Sequence, residues 1–423
     1  MNDNAESTIF LKENEPINVL MYADDLILLS ESREGLQRQI DKLCEYCGKW
    51  KLSINFNKTK SMVFNRGNRL IDADFYVNKM LIENVKTIKY LGFTITAKNC
   101  SFSKTLEDLS VKASRAIYAL NNKIKISKLP TKLALKVFNT QIKPILLYGC
   151  EVWGPYTNHD FHNWEKNKIE MTHVQFIKRA LGCNFHTSNI MTRGEVGTRP
   201  LLVDVIKRVI SYIQNIKQRQ DSIAYSGYEF ETGNYTEPNF QTYIKIFNFA
   251  NVGDIYQESK ENVKKICLNY YDRLWRSEVG ESAKAITYKI FKENVLFEKY
   301  LSSVKNLKHK ISLTRFRLSN HNLMIEKGRH SRPKIERNDR KCFICQNEVE
   351  DEYHFITKCP LYENERKQLY SVLNENSRYF ETCTDEQKFS FIMINENEKV
   401  MAELAKFVFS ATKVREQELE KLK

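Results

Sequence analysis

No apolar run in this 423-residue chain approaches the roughly 20 residues that a membrane-crossing helix needs. The longest, around Leu26 to Leu29 and Pro144 to Tyr148, fall far short, so a soluble protein with no membrane partner is expected. A secretory leader pattern is lacking, and the ten cysteines are scattered rather than gathered into a disulfide framework. Reduced thiols and an intracellular location follow, with nucleus and cytoplasm both open because no compact basic import signal stands out. The chain also lacks internal repeats and low-complexity tracts. At 42% hydrophobic and 28% charged, it is long enough for two or three cores.

Positive charge, by contrast, is plentiful. The formal net charge is +14, and from Ser303 to Lys341 twelve Lys or Arg face only Glu326, Glu336 and Asp339, a net of +9. Lys308, Lys310, Arg315, Arg317, Arg329 and Arg332 are the candidate nucleic-acid contacts there, through phosphates whose grip should weaken as salt rises. A solvated helical face that happens to be basic is the plain alternative.

The sharpest feature is Tyr22-Ala23-Asp24-Asp25, set between Val19-Leu20-Met21 and Leu26-Ile27-Leu28-Leu29. Two short, bulky runs around an acidic turn read as a hairpin with two carboxylates at its tip. Adjacent carboxylates repel, and a cation would relieve them. Mg²⁺, which takes one or two carboxylates plus substrate phosphates, is the natural candidate, and a solvated surface turn is the bland one. Downstream, Leu36, Ile40, Leu43, Cys44, Cys47 and Trp50 form an amphipathic helical stripe, with Cys44 and Cys47 read as core. Leu52 to Phe64 reads as strand, turn and strand; Phe75-Tyr76-Val77 and Met80-Leu81-Ile82 flank Asn78-Lys79 as a hairpin; and Ile88 to Ile95 reads as a strand with Gly92 near its middle.

The ordered series YADD, WKLSINFNKTKSMVF and IKYLGFTI resembles the last three palm motifs of reverse transcriptases, particularly those of non-LTR (LINE-like) retrotransposons. LKVFNTQIKPILLYGCEVWG resembles their thumb region, HVQFIKRALGCNF and GEVGTRPL the segment after it, and HKISLTRFRLSNHNLMIEKGRH with CFIC and HFITKCP their C-terminal region. The resemblance implies two-metal nucleotidyl transfer on an RNA template with a DNA primer or target and dNTPs. It implies Asp24 as the first metal ligand, Asp25 in support, and Tyr22 near the primer terminus. Lys58 would steady the leaving pyrophosphate, with Lys60 its rival, and Leu91-Gly92 would fit the primer-grip hairpin. Such a palm also draws an aspartate from an earlier strand and a finger region, and only 21 residues precede Tyr22. The chain is therefore expected to be truncated and catalytically incomplete. Insertion into chromosomal DNA would require nuclear access.

Cys342-Phe343-Ile344-Cys345, then His354 and Cys359, offer three thiols and one imidazole at the spacing of a closed structural zinc site. Two buried cysteines beside an unrelated histidine are the alternative. In the middle of the chain, Leu106, Leu109, Ala113, Ile117 and Leu120 form one helical stripe. Leu133, Val137, Ile142 and Leu146 suggest a second that Pro144 ends or kinks, and Leu201 to Ile216 repeats at core spacing. Ser226 to Thr242 is the linker candidate, Trp153, Trp164 and Trp275 read as packing rather than base-stacking residues, and a charged helical tail follows Pro360.

The expected fold class is α+β: a partial palm of antiparallel hairpins and a helix, then a helical thumb and a mostly helical C-terminal region with a small zinc knuckle. The expected spans are 1–100 for the palm, 101–225 for the thumb and following helices, 243–335 for the basic helical region, and 336–423 for the zinc knuckle and tail. Three readings stand: the C-terminal part of a retrotransposon reverse transcriptase, a nucleic-acid-binding remnant working through the basic segment and zinc knuckle, or the product of a decayed element.

Overall fold

The computed structural model describes residues 8–421 apart from 13–14, 65–70, 72, 98–100, 158–160, 235–250 and 254. The chain forms two compact units built from interleaved segments. One comprises Met1–Leu109, Tyr148–Asp160 and Asp204–Val263, the other Ser110–Leu147, Phe161–Val203 and Lys264–Lys423. Strands and helices are mixed, and among the described residues no helix is long and apolar enough to cross a membrane.

The first unit holds all the named strands as two-stranded sheets. Strands β1 (Ile9–Lys12) and β2 (Glu15–Ile17) pair, as do β3 (Val19–Tyr22) and β4 (Asp25–Leu28), whose register sets Val19 against Leu28 and Tyr22 against Asp25. Helix α1 (Arg33–Trp50) starts where the Ser32 hydroxyl accepts the Gly35 N–H and stops at Lys51, which takes a left-handed φ of 57°. Its inner face meets a small core of Ile40, Phe75, Val77 and Ile82, with Leu28, Leu36, Cys44, Ile54 and Phe56 packed around it. That core reaches no further along α1 than Cys44, so Cys47 is only half-buried and Trp50 is 60% exposed. The expected stripe is therefore shorter than its sequence pattern.

Strands β6 (Tyr76–Val77) and β7 (Met80–Leu81) form the expected hairpin, with Asn78 and Lys79 both at positive φ in a two-residue turn. Two other expectations are corrected. Leu52 to Phe64 is not a hairpin: Asn55 accepts the N–H groups of Lys58 and Thr59 and folds the chain into a turn. Strand β5 (Lys60–Ser61) then pairs in parallel with β8 (Glu83–Asn84), a partner the local sequence does not reveal. Ile88 to Ile95 is not one strand either. It is a hairpin of β9 (Thr87–Tyr90) and β10 (Phe93–Thr96), turned at Leu91 (φ 44°) and Gly92 (φ 83°).

Helix α2 (Ser103–Ile124) buries Leu109, Ala113 and Ile117, as its stripe predicts. In the second unit α3 (Thr131–Val137) passes through a π-turn over Phe138–Ile142 into α4 (Lys143–Leu146). Pro144 has no N–H to give to the preceding turn, and the widened turn before it absorbs the mismatch. The buried face is Ala134, Phe138, Ile142 and Leu146, while Leu133 is 45% exposed. Helices α5 (Lys168–Leu181) and α6 (Asn189–Val196) follow in the same unit, and α7 (Leu202–Lys217), which from Asp204 on belongs to the first unit, buries Val205, Ile206, Val209, Ile210, Ile213 and Ile216. The linker candidate is helical over its first part, inside α8 (Ile223–Asn234); residues 235–242 lie outside the described residues.

Beyond α9 (Lys260–Glu281) come α10 (Leu307–Arg317), α11 (Glu352–Thr357), α12 (Glu363–Asn376), α13 (Asp385–Ile394) and α14 (Glu398–Lys421). The last closes the expected helical tail and packs one face inward. It buries Val400, Leu404, Phe407, Val408 and Ala411 against α10 and α12. Trp153, Trp164 and Trp275 are fully buried, which leaves none of them a face for a base.

Candidate functional site

The acidic turn sits where β3 hands over to β4. Ala23 and Asp24 form the turn, with Ala23 at φ 53°, a left-handed conformation that costs an L-residue energy and that functional turns tolerate. Asp24 and Asp25 are both exposed, and among the described residues neither has a cationic side chain in ion-pairing range. Tyr22 is 64% and Met21 71% exposed. Open carboxylates side by side can accept a hard divalent ion from solvent without first breaking a salt bridge.

Of the two candidate lysines, Lys60 is engaged in an ion pair with Glu83 at 2.5 Å. Lys58 is exposed on its turn with its side chain free of ion pairs among the described residues. At the second hairpin, Leu91 offers its carbonyl oxygen to the Tyr148 hydroxyl at 3.0 Å, and a Cβ on Gly92 would lie 2.7 Å from the Tyr148 ring. Glycine at this turn is thus required by a tyrosine packed against it, as well as by its φ.

In the second unit, Cys342, His354 and Cys359 come together, and Cys345 lies against His354 without joining the mutual cluster of the other three. The Cys342 N–H donates to the Glu348 carbonyl and the Gln346 N–H to the Cys342 carbonyl, both at 2.9 Å, which folds the CxxC loop back on itself. Asp351 caps α11 by accepting the His354 N–H, placing the imidazole in the first turn. Arg366 donates to the carbonyls of Ile356 and Cys359, fixing the end of that turn. Cys342 Sγ lies 3.9 Å from Cys359 Sγ, and Cys345 Sγ 3.5 Å from His354 Nε2. The donor atoms of Cys342, His354 and Cys359 all lie within 4.8 Å of one another, so the cluster can hold a metal ion. Hydrogen bonds from Cys359, outweighing burial, and from His354 and the backbone N–H groups of Cys345 and Ile344 hold the Cys342 thiol far below its ordinary range. Glu348, which the sequence reading missed, faces His354 Nδ1 at 3.3 Å and accepts Lys358 Nζ at 2.8 Å, leaving Nε2 turned to the sulfurs.

The basic segment divides. Lys308, Arg315 and Arg332 are exposed, Lys310 and Arg329 are half-buried, and Arg329 is committed to Glu326 and the Ala283 carbonyl. Arg317 cannot contact nucleic acid. It is 3% exposed, and its guanidinium pairs with Glu195 at 2.5 Å and Glu298 at 2.8 Å beneath the rings of Phe291 and Tyr300. A second buried network lies close by in sequence. Glu170, fully buried, accepts from Arg193 Nη2, Trp164 Nε1 and the Leu201 N–H, and faces His173 Nδ1 at 3.0 Å. Burial alone would raise the Glu170 pKa, but Arg193, His173 and the Leu201 N–H outweigh it and bring it to about 2. Gly194 lets Trp275 pack at this point, since a Cβ there would come within 2.6 Å of the indole. The GEVGTRPL segment and the helix before it thus supply Arg193 and Glu195 to two of the interior ion pairs of the second unit.

The exposed YADD hairpin, the helix that follows it and two further hairpins form a mixed helix-and-strand segment consistent with a reverse-transcriptase-like α+β fold. Comparison with known proteins agrees: residues 6–95 match the family of reverse transcriptase (RNA-dependent DNA polymerase). The chain is 21% identical over 214 residues to the "Probable RNA-directed DNA polymerase from transposon BS" of Drosophila melanogaster, covering 48% of this chain and 23% of that protein. It is 24% identical over 190 residues to the RNA-directed DNA polymerase from mobile element jockey of Drosophila funebris, covering 43% and 20%. A transposon-derived protein of Caenorhabditis elegans is 24% identical over 217 residues, covering 48% of this chain and 72% of its own. The chain thus spans less than a quarter of the length of the two fly polymerases. It is related to the reverse transcriptases of non-LTR, LINE-like transposons.

Proposed function

We propose that this chain is the C-terminal portion of an RNA-directed DNA polymerase of a non-LTR retrotransposon, in which residues 1–100 form part of the palm and 101–225 the thumb and following helices. Residues 243–335 are then a basic helical region, and 336–423 a zinc-bearing C-terminal region. The observation that carries the reading is the YADD hairpin within the segment matched to reverse transcriptases. In the intact enzyme Asp24, with Asp25 beside it, would hold Mg²⁺, which supplies charge neutralisation at the attacking and leaving oxygens. Lys58 would approach the leaving pyrophosphate, and Tyr22 and the Leu91-Gly92 turn the primer. RNA template, DNA primer or target, and dNTPs are the partners.

By itself the 423-residue chain is proposed not to polymerise. Its β3–β4 ribbon is a two-stranded sheet with Met21 and Tyr22 in solvent, and such a ribbon cannot fix two carboxylates to the tolerance that electrostatic preorganisation demands. Primer extension with Mg²⁺ tests this: incorporation should not exceed that of Asp24→Asn. Extension by the wild-type chain that Asp24→Asn abolishes would overturn it.

The second reading, a nucleic-acid-binding remnant, is favoured by the Cys/His cluster. Zn–S bonds of about 2.3 Å and Zn–N bonds of about 2.0 Å in a tetrahedron give edges of about 3.8 Å between sulfurs and about 3.5 Å between sulfur and nitrogen. The separations found, 3.9 Å and 3.5 Å, fit. Cys342, Cys345, His354 and Cys359 would close around Zn²⁺ with no open position, so the ion would supply structure rather than catalysis.

A further inference from the structure

The loop after α5, Gly182 to Thr187, carries an aromatic pair that the polymerase reading leaves without a role. Phe185 is 70% exposed, and its ring lies 3.8 Å, centroid to centroid, from that of His186, also exposed. One apolar side chain in solvent is ordinary. What distinguishes this one is the structure that holds it there. The buried Lys178 donates its ammonium to the carbonyl oxygen of Phe185 at 2.7 Å and to Asn189 Oδ1 at 2.6 Å. The Asn184 N–H donates to Asn320 Oδ1, the Thr187 N–H to the Asn184 carbonyl, and Arg315 Nε to the Gly182 carbonyl. Backbone on both sides of Phe185 is tied down while its ring stands in water.

Basic residues outnumber acidic ones along the segments that form this surface, although Glu165 accepts Asn189 Nδ2 at 2.9 Å beside Lys178. No Asp or Glu occurs between residues 171 and 194 or between 299 and 325. Arg179 is exposed in the last turn of α5. Ile311 of α10 packs on Gly182, and Lys308 and Arg315, three residues before it and four after, share its helix face. An exposed, preorganised aromatic with Arg and Lys on the adjoining helices α5 and α10 suits an unpaired nucleobase, whose π-face stacks on the ring while its phosphates meet the cations. A base inside a duplex cannot offer that face.

We propose that Phe185, with His186 behind it, is a base-stacking platform for single-stranded nucleic acid, flanked by Arg179, Lys308 and Arg315. This rests on the reading that the chain handles nucleic acid. The test is fluorescence anisotropy of the full chain with labelled oligouridine, oligothymidine and a blunt duplex. Stacking of one base is worth about 1–3 kcal/mol, so Phe185→Ala should weaken single-strand binding about fivefold or more. Phe185→Trp should retain it, and duplex binding, thermal unfolding and the salt slope should not move. Arg315→Gln should instead weaken all three ligands and lower the salt slope by about one. Comparing the two oligonucleotides tells RNA from DNA as the ligand. Unchanged single-strand affinity in Phe185→Ala overturns the platform while leaving the nucleic-acid reading intact; a wild-type chain that binds none of the probes overturns both. If Phe185→Ala alters sedimentation and not binding, the ring is a self-association contact and the proposal is wrong.

Discussion

Glu170 shows how much a single buried residue can decide. Its carboxylate is shared by Arg193, His173, Trp164 and the Leu201 N–H with no water access, so neutralising it leaves the buried Arg193 guanidinium with Glu165 as its remaining carboxylate partner. Breaking such a pair costs about 3–5 kcal/mol, and Glu170→Gln should lose that order of stability at neutral pH in urea unfolding followed by tryptophan fluorescence. The acid behaviour has a definite sign. A carboxyl held at about 2 in the fold against an ordinary 4.5 contributes stability that is fully present above 4.5 and lost as pH falls toward 2. The gap between wild type and Glu170→Gln should therefore narrow from pH 5 to pH 2; a gap that stays constant would mean that the ionised carboxylate is not what stabilises. The opposite fates of two residue types show what sequence can reveal at this scale. Asp24 and Asp25 were legible because a tight turn and its two strands are written in ten consecutive residues. Arg317 was misread as a phosphate contact because its partner Glu195 lies 122 residues away.

At the scale of elements, local signals carried the hairpin at Asn78-Lys79, the amphipathic α1 and the core helix α7, where the pattern and its partner fall within one segment. Lys60-Ser61 failed because its parallel partner, Glu83-Asn84, is set by tertiary packing, whereas the charged tail is helical as expected and only the packing of one face of α14 went unread behind its charges. The Cys/His cluster was legible by spacing, but its coupling to the rest of the unit was not. Glu350, between Cys345 and His354, accepts from Nε and Nη2 of Arg415, each at 2.7 Å, tying the cluster to α14 across 65 residues. If zinc closes the cluster, the chain should carry one zinc by elemental analysis, and Cys342→Ser should lose it. Because metal binding and folding are linked, chelation should lower the thermal transition of helical circular dichroism rather than perturb the loop alone. Metal-free protein with the same melt would remove zinc from the account.

At the scale of the whole molecule, a net charge of +14 favours non-specific attraction to polyanions, so the informative quantity for the proposed nucleic-acid binding is how affinity falls with salt. Each phosphate neutralised releases its counterion, and the logarithmic slope on duplex DNA is about −0.9 per contact. The basic segment offers fewer contacts than its net charge of +9 suggests, since Arg317 and Arg340 are buried in ion pairs or carbonyl contacts and Arg329 is committed to Glu326. Lys308 and Arg332 remain in solvent. Replacing both with Gln should reduce the slope by about two and weaken binding equally across unrelated sequences, because phosphate contacts position without reading bases. Arg317→Met, which removes the same kind of charge, should act through folding instead: it leaves Glu195 buried beside Tyr288 without its partner, and it should lower the melting temperature before any salt slope can be read. If Arg317→Met folds normally and shifts the slope as Lys308→Gln does, the segment binds as an undivided basic surface, and the distinction between interior and exterior arginines loses its functional meaning.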